Sequence, residues 1–224
     1  MKHSKRYKKI IIKEPMSSKT IAQLLPDLKK NCTTKFDESI DLSIQINNKQ
    51  KKNEINIRTA VTLPSGTGKK IKLAVVCEDD KASIAKDAGA DIVGGDDLID
   101  EIKNGKTDFE KLICTPSMMI KLSKLGKVLG PKGLMPNPKL GTVSDDLKNA
   151  VKNAKSGQVE IRNDKDGNIG VSIGKKSFSD DNLIKNFNAI LETLDKEKNN
   201  NNVKGNLIKN SFVTSTMGVS FKLK

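Results

Sequence analysis

Between residues 71 and 124, short apolar runs alternate with helix-period segments three times in succession. Residues 71–76 (IKLAVV) read as a strand buried on both faces. Residues 81–88 read as a helix, and Gly89 supplies the stop that follows many helix ends. A second short strand is expected at 91–93, ahead of Gly94 and Gly95. Residues 96–104 then place Leu98, Ile99 and Ile102 at helical spacing, with two acids at the start and Gly105 at the end. Residues 111–114 make a third strand and 117–124 a third helix, with Thr115 as its cap and Pro116 near its first turn. Alternation of this kind requires a parallel sheet, because a crossover helix is what returns the chain to start the next strand in the same direction.

The flanks follow a different pattern. Residues 20–30 form a helix candidate in which Pro26 imposes a kink or a late start. Residues 39–46 (SIDLSIQI) alternate apolar and polar as a half-exposed strand does, and 55–63 read as a second such strand. Residues 158–161 and 169–173 are strands on either side of 163–167 (NDKDG), a hairpin turn signal. Ser179 caps a helix running to about residue 198, with Leu183, Ile184, Phe187, Ile190, Leu191 and Leu194 on one stripe. A polar, Asn-rich loop is expected at 196–202, and 211–223 close the chain with one or two strands. The fold class is therefore α/β and α+β. A discontinuous outer α+β domain (1–66 plus 157–224) receives an inserted parallel α/β domain (67–156). The joints, at 64–70 (PSGTGKK) and 155–157, carry Gly66, Gly68, Ser156 and Gly157 as candidate hinge residues.

Charge is distributed as unevenly as the pattern. The 224 residues carry a formal net charge of +14. Residues 71–115 hold six Lys against eleven acids, a net −5, so the rest of the chain carries +19. The basic residues lie on strands, turns and loops rather than opposite a strong apolar helix face. That arrangement favours phosphate over lipid, with a generic Lys-rich surface as the alternative.

The same composition removes much of enzymology. The single His is His3, in a basic N-terminal tail, so His-centred triads and zincin motifs are excluded. Cys32, Cys77 and Cys114 form no C-x-x-C pair, which fits reduced thiols and argues against a disulfide framework or a Cys-based zinc site. No apolar run approaches the roughly 20 residues of a membrane span. The three apolar residues Ile10, Ile11 and Ile12 are too short for a signal-peptide core, so a cytoplasmic location is expected. The joint around Gly66 and Gly68 lacks the spacing of a phosphate-binding loop, and the acidic Glu78-Asp79-Asp80 turn replaces a dinucleotide fingerprint. No catalytic residue, metal ligand or cofactor is expected.

Two segments have the chemistry of a nucleic-acid surface. Residues 126–143 (GKVLGPKGLMPNPKLGTV) read as a long Gly/Pro loop with Lys127, Lys132 and Lys139, no acid, and Leu134 and Met135 at the tip. Backbone N–H groups freed beside Lys suit phosphates. A rigid irregular connection explains the same residues equally well. Residues 211–218 (SFVTSTMG) are rich in hydroxyls and end in a bare backbone, which suits 2′-OH and phosphate contacts. A Thr-rich exposed strand is the alternative.

The 126–143 segment closely resembles the signature of the ribosomal protein L-one family of the large subunit. KRYKK, KFDESIDL, RTAVTLPSGTGK, AGADIVGG, EIRNDKDGNIG, IGKKSF and VTSTMG resemble bacterial-type members in the same order. The resemblance implies a Rossmann-like inserted domain and a non-enzymatic role. It implies binding to large-subunit rRNA at the mobile stalk near the tRNA exit site, help in moving and releasing deacylated tRNA, and repression of translation of its own operon mRNA. The implied partners are therefore rRNA, exit-site tRNA and that mRNA, with the chain a monomer off the ribosome. The implied RNA-binding residues are Lys35, Phe36, Glu38, Arg162, Lys165, Ser211, Thr216, Met217 and Gly218, with a second RNA or tRNA surface at Lys127, Lys132 and Lys139. The chain departs from some relatives at Gly170, where they carry His, and at Val219, where they carry Pro.

Overall fold

The alternation in residues 39–46 is realised as strand β1 (Ser39–Ile46), in which Ile40, Leu42, Ile44 and Ile46 are all buried. A computed structural model describes residues 4–11, 19–47, 56–200 and 205–223. It divides into two units, Met1–Gly68 with Val159–Lys224, and Lys69–Gln158.

In the first unit β1 lies inside a four-stranded antiparallel sheet with β7 (Asn168–Lys175), β8 (Ile208–Ser215) and β9 (Phe221–Lys222), in the order β7-β1-β8-β9. Its buried face packs on α2 (Ile21–Asn31) and α8 (Asp180–Asn200), which contribute Leu24, Leu25, Leu28, Leu183, Ile190 and Leu194 to the same core. Pro26 neither delays nor ends α2. Burial of Ile21, Leu24, Leu25 and Leu28 outweighs the single backbone hydrogen bond that proline removes. Strands β2 (Arg58–Thr62) and β6 (Gln158–Arg162) form a separate pair.

The second unit is built on three parallel strands, β4 (Ile92–Gly94), β3 (Leu73–Val76) and β5 (Lys111–Cys114), in that order. All four residues of β3 are buried, because helices cover both sides. Leu98, Ile102, Met118, Leu122 and Leu129 of α4 (Asp96–Lys103), α5 (Pro116–Ser123) and α6 (Gly126–Leu129) pack on one face. Ala85 of α3 (Asp79–Asp87) and Leu147, Ala150, Val151 and Ala154 of α7 (Leu147–Lys155) pack on the other. The fold is thus a mixed α/β one, with antiparallel and parallel sheets.

Several local expectations change. The hairpin expected around 163–167 is only a turn. The Asp164 carboxylate accepts the Asn168 N–H at 2.6 Å and Gly167 takes φ 82°, but β6 and β7 join different sheets and meet through one bridge, Asn163 to Ile169. Strand β7 is drawn to β1 because Ile169, Val171 and Ile173 all enter the main core. The 126–143 segment is not an unstructured loop. It contains α6 and a 3-10 turn at Pro138–Leu140, anchored by Leu129, Leu134 and Met135 on the second core. Helix α8 continues to Asn200, through most of the expected polar loop. Helix α7 has no counterpart among the elements the sequence pattern indicates, although Leu147, Ala150, Val151 and Ala154 stand at helical spacing behind an Asp146 cap. The basic N-terminus contains a helix, α1 (Lys5–Ile10), capped by Ser4. His3, Ile12, Ile55, Asn201 and Asn202 lie outside the described residues.

Candidate nucleic-acid interface

The site begins with a buried carboxylate. Glu38 sits just before β1 and is fully buried. Its Oε1 accepts from the Thr34 hydroxyl at 2.7 Å and the Thr34 N–H at 3.3 Å. Its Oε2 accepts the Met217 N–H at 3.1 Å. Burial pushes this carboxyl up, but the Thr34 hydroxyl and the Met217 N–H, with the nearby Ser215 hydroxyl, outweigh it and hold the group below its ordinary range. An ionised acid under the surface thus joins the turn at 33–38 to the turn after β8.

Thr216 makes the second link. Its N–H donates to the Ser39 carbonyl at 3.0 Å, its hydroxyl accepts the Ser39 N–H at 3.0 Å, and the same hydroxyl lies 3.3 Å from the Ser39 carbonyl oxygen. Gly218 donates to the Ser215 carbonyl at 3.1 Å and is packed so closely that a Cβ there would stand 2.3 Å from Ser215 Oγ. The residues expected to touch RNA therefore separate by role. Glu38, Thr216 and Gly218 shape the turn. Lys35, Phe36 and Met217 point outward, with Phe36 and Met217 53% and 49% exposed. Phe36 and Met217 are two of only five large apolar residues exposed among the described ones.

Arg162 and Lys165 are exposed but lie at the far end of β1. Ser39, beside Thr216, starts that strand, while the Ile46 N–H at its end donates to the Gly167 carbonyl at 2.8 Å. At roughly 3.3 Å per residue the two groups sit about 20 Å apart. Ser211 joins neither group. It pairs with Ile44, which is fully buried, so its side chain lies on the core side and lines a cleft of about 500 Å³ with Phe187 and Leu191.

What lies between the two groups is the face of the sheet turned away from the core. Cross-strand register places Ser172, Asp41 and Thr214 in one row, Gly170, Ser43 and Phe212 in the next, and Asn168, Gln45 and Asn210 in the third. All nine are exposed or half-exposed, and the row is tied by Asn210 Nδ2 donating to Gln45 Oε1 at 3.1 Å. A Cβ on Gly170 would meet nothing within 4 Å. Sequence reasoning missed this face, although its signal was present in the polar positions of the alternating strands.

In the second unit Lys127, Lys132 and Lys139 are exposed, and Lys132 Nζ donates to Thr107 Oγ1 at 2.6 Å. At the joints, Gly66, Gly68 and Gly157 have φ of 71°, 72° and 92°, and the Ser156 hydroxyl donates to the Asn153 carbonyl. The side chain of Asn186, buried in α8, accepts the Ser65 N–H and donates to the Gly66 and Ile173 carbonyls. All three cysteines are free and buried. Burial pushes Cys114 up to about 12, far from a reactive thiolate. Among the described residues no group of His, Cys, Asp or Glu could hold a metal ion, and no helix is long and apolar enough to cross a membrane.

Residues 28–219 match the ribosomal protein L1p/L10e family. The chain is 72% identical over 222 residues to the large ribosomal subunit protein uL1 of Pelagibacter ubique, covering 99% of this chain and 97% of that one. It is 44% identical over 210 residues to the uL1 protein of Rickettsia akari, covering 94% of this chain and 87% of the relative. The uL1 protein of Rickettsia prowazekii is 45% identical over 214 residues, at 94% and 90% coverage.

Proposed function

This chain belongs to the ribosomal protein L1p/L10e family, and from that premise we propose that it binds large-subunit rRNA at the mobile stalk through the open face of its four-stranded sheet. The observation that carries this reading is the Thr216–Met217–Gly218 turn, held against β1 by Glu38 and Thr216, with the Met217 and Phe36 side chains both exposed. Lys35 at that end, and Arg162 and Lys165 at the other, bracket the polar rows of the sheet. Phosphate contacts at both ends set register. Shape and 2′-OH contacts along Ser43, Gln45, Asn168 and Asn210 supply preference.

The role is that of a non-enzymatic protein of the large ribosomal subunit, acting in translation on a cytoplasmic ribosome. It assists movement and release of deacylated tRNA, and it represses its own operon mRNA through an rRNA-like site on that message. Lys127, Lys132 and Lys139 form a second surface for RNA or tRNA, and Gly66, Gly68, Ser156 and Gly157 act as the hinge. Off the ribosome the chain is a monomer.

The test is binding of the purified chain to a stalk-region rRNA fragment, beside a scrambled RNA of equal length, across a salt series. The expected result is a preference for the stalk fragment that survives salt, with a slope of about −0.7 to −0.9 per phosphate contact. Equal, salt-labile binding to both RNAs would reduce the basic charge to generic polyanion attraction and overturn the reading.

A further inference from the structure

The N-terminal helix also reaches into this turn. Ser4 caps α1 by accepting the Tyr7 N–H at 3.2 Å, and Ile10 is buried, which fixes the helix at both ends. From it Arg6 forks toward two acceptors that lie far apart in sequence. Its Nε donates to Thr33 Oγ1 at 2.8 Å and its Nη2 donates to the Met217 carbonyl at 3.1 Å. Met217 is therefore gripped on both sides of its own side chain, at the N–H by Glu38 and at the carbonyl by Arg6. A guanidinium offers donors in fixed, coplanar directions and can serve both acceptors at once, whereas an ammonium cannot reproduce that fork.

We propose that Arg6 is a positioning residue for RNA recognition, fixing the Met217 peptide plane and thereby the direction in which Met217 meets the RNA. The proposal rests on the RNA-binding reading above. It gives the N-terminal helix a part in specificity rather than in bulk charge, since two donor positions of the guanidinium are committed to protein acceptors instead of to phosphate.

The experiment compares the full chain with Arg6→Lys, Arg6→Ala and Thr33→Val. It measures the affinity ratio between stalk fragment and scrambled RNA, the salt slope, and the melting temperature. Positioning predicts that Arg6→Lys and Arg6→Ala each lower the ratio about ten-fold, the scale of one charge-assisted hydrogen bond, while the salt slope is unchanged. Thr33→Val keeps the positive charge, removes one acceptor, and lowers the ratio by a smaller factor. Full retention of the ratio in Arg6→Lys overturns the proposal. A salt slope that drops by about 0.7 to 0.9 in Arg6→Ala also overturns it, because Arg6 is then a phosphate contact. Should Arg6→Ala melt early, Thr33→Val carries the test, and an unchanged ratio there overturns the proposal. A wild-type chain with no preference for the stalk fragment refutes the RNA-binding reading itself, and the wild-type arm separates that failure from failure of the Arg6 proposal alone.

Discussion

Glu38 and Met217 are 179 positions apart, and a single hydrogen bond of 3.1 Å from the Met217 N–H to the buried Glu38 carboxylate holds them together. The bond links a turn before the first strand of the outer sheet to a turn after its penultimate strand. An ionised group in this position is tolerated because its other oxygen also accepts two donors from Thr34.

Glu38→Gln keeps the shape and removes the charge. The amide cannot accept on both sides, so either the Met217 N–H or the Thr34 donors lose their partner. We expect a loss of about 1–3 kcal/mol in urea unfolding, together with a fall in the stalk-to-scrambled affinity ratio. A stable variant with unaltered RNA preference would show that the carboxylate does not shape the turn.

The same carboxyl gives stability a pH dependence of defined sign. Its folded-state pKa lies below its unfolded value, since the hydrogen bonds favour the ionised form over the opposing effect of burial. Its contribution is complete above the unfolded value near 4.3 and disappears as pH falls through the folded value. Asp91 and Asp164 shift in the same direction, each chiefly through a backbone N–H donor, so the wild-type profile alone does not isolate Glu38. The difference between wild type and Glu38→Gln does. It should be flat from pH 7 to 5 and shrink below pH 4.

Gly218→Ala forces a Cβ to within 2.3 Å of Ser215 Oγ. We expect about 1–3 kcal/mol of destabilisation. In a Ser215→Ala background the nearest atom becomes the Cβ of residue 215, 3.5 Å away, which is ordinary contact. The double variant should therefore be more stable than the sum of the two single changes, with a coupling of about 0.5 kcal/mol or more in a double-mutant cycle. Additive effects would place the constraint at Gly218 elsewhere.

Met217→Asp tests the turn from its outer side. The side chain is half-exposed and belongs to no core cluster, so unfolding should change by no more than about 0.5 kcal/mol. Affinity for the stalk fragment should fall, because a carboxylate is set against phosphates. Unchanged affinity would remove Met217 from the interface.

Gly170→Lys probes the open sheet face by gain rather than loss. The position has free space above it, and a side chain there costs the strand nothing sterically. A lysine among Ser43 and Phe212 should leave the melting temperature near that of the wild type. It should also steepen the salt slope of RNA binding by about 0.7 to 0.9, one added phosphate contact. An unchanged slope would mean that RNA does not cross this face.

Much of the fold is legible locally. Strand β5 falls on residues 111–114 as the apolar run indicates, and the stripe of Leu183, Ile190 and Leu194 identifies α8 and the side it buries. Errors arise where two short-range signals compete. The 163–167 turn looks like a hairpin because Asp164 and Gly167 do close a turn, yet which strand β7 pairs with depends on apolar partners in β1, more than a hundred residues away. Helix α7 has a weaker apolar signal because half its buried face is alanine. The 126–143 segment reads as a loop because its glycines and prolines hide the contacts of Leu129, Leu134 and Met135 with the second core.

Side-chain roles are less legible than elements. Residue type marks Thr216, Met217 and Gly218 within the hydroxyl-rich run at 211–218, and the resemblance alone adds Glu38. Hydroxyls and glycine in one short run have recognisable chemistry at short range, whereas nothing local distinguishes Glu38 from any other acid. That Glu38 is buried and reaches Met217, that Ser211 turns toward the core while Asn210 and Phe212 face outward, and that Arg6 completes the grip on Met217 follow only from the tertiary structure. Strand register and the convergence of distant turns are set by burying side chains from separated segments in one core, and no stretch of sequence contains both partners of those contacts.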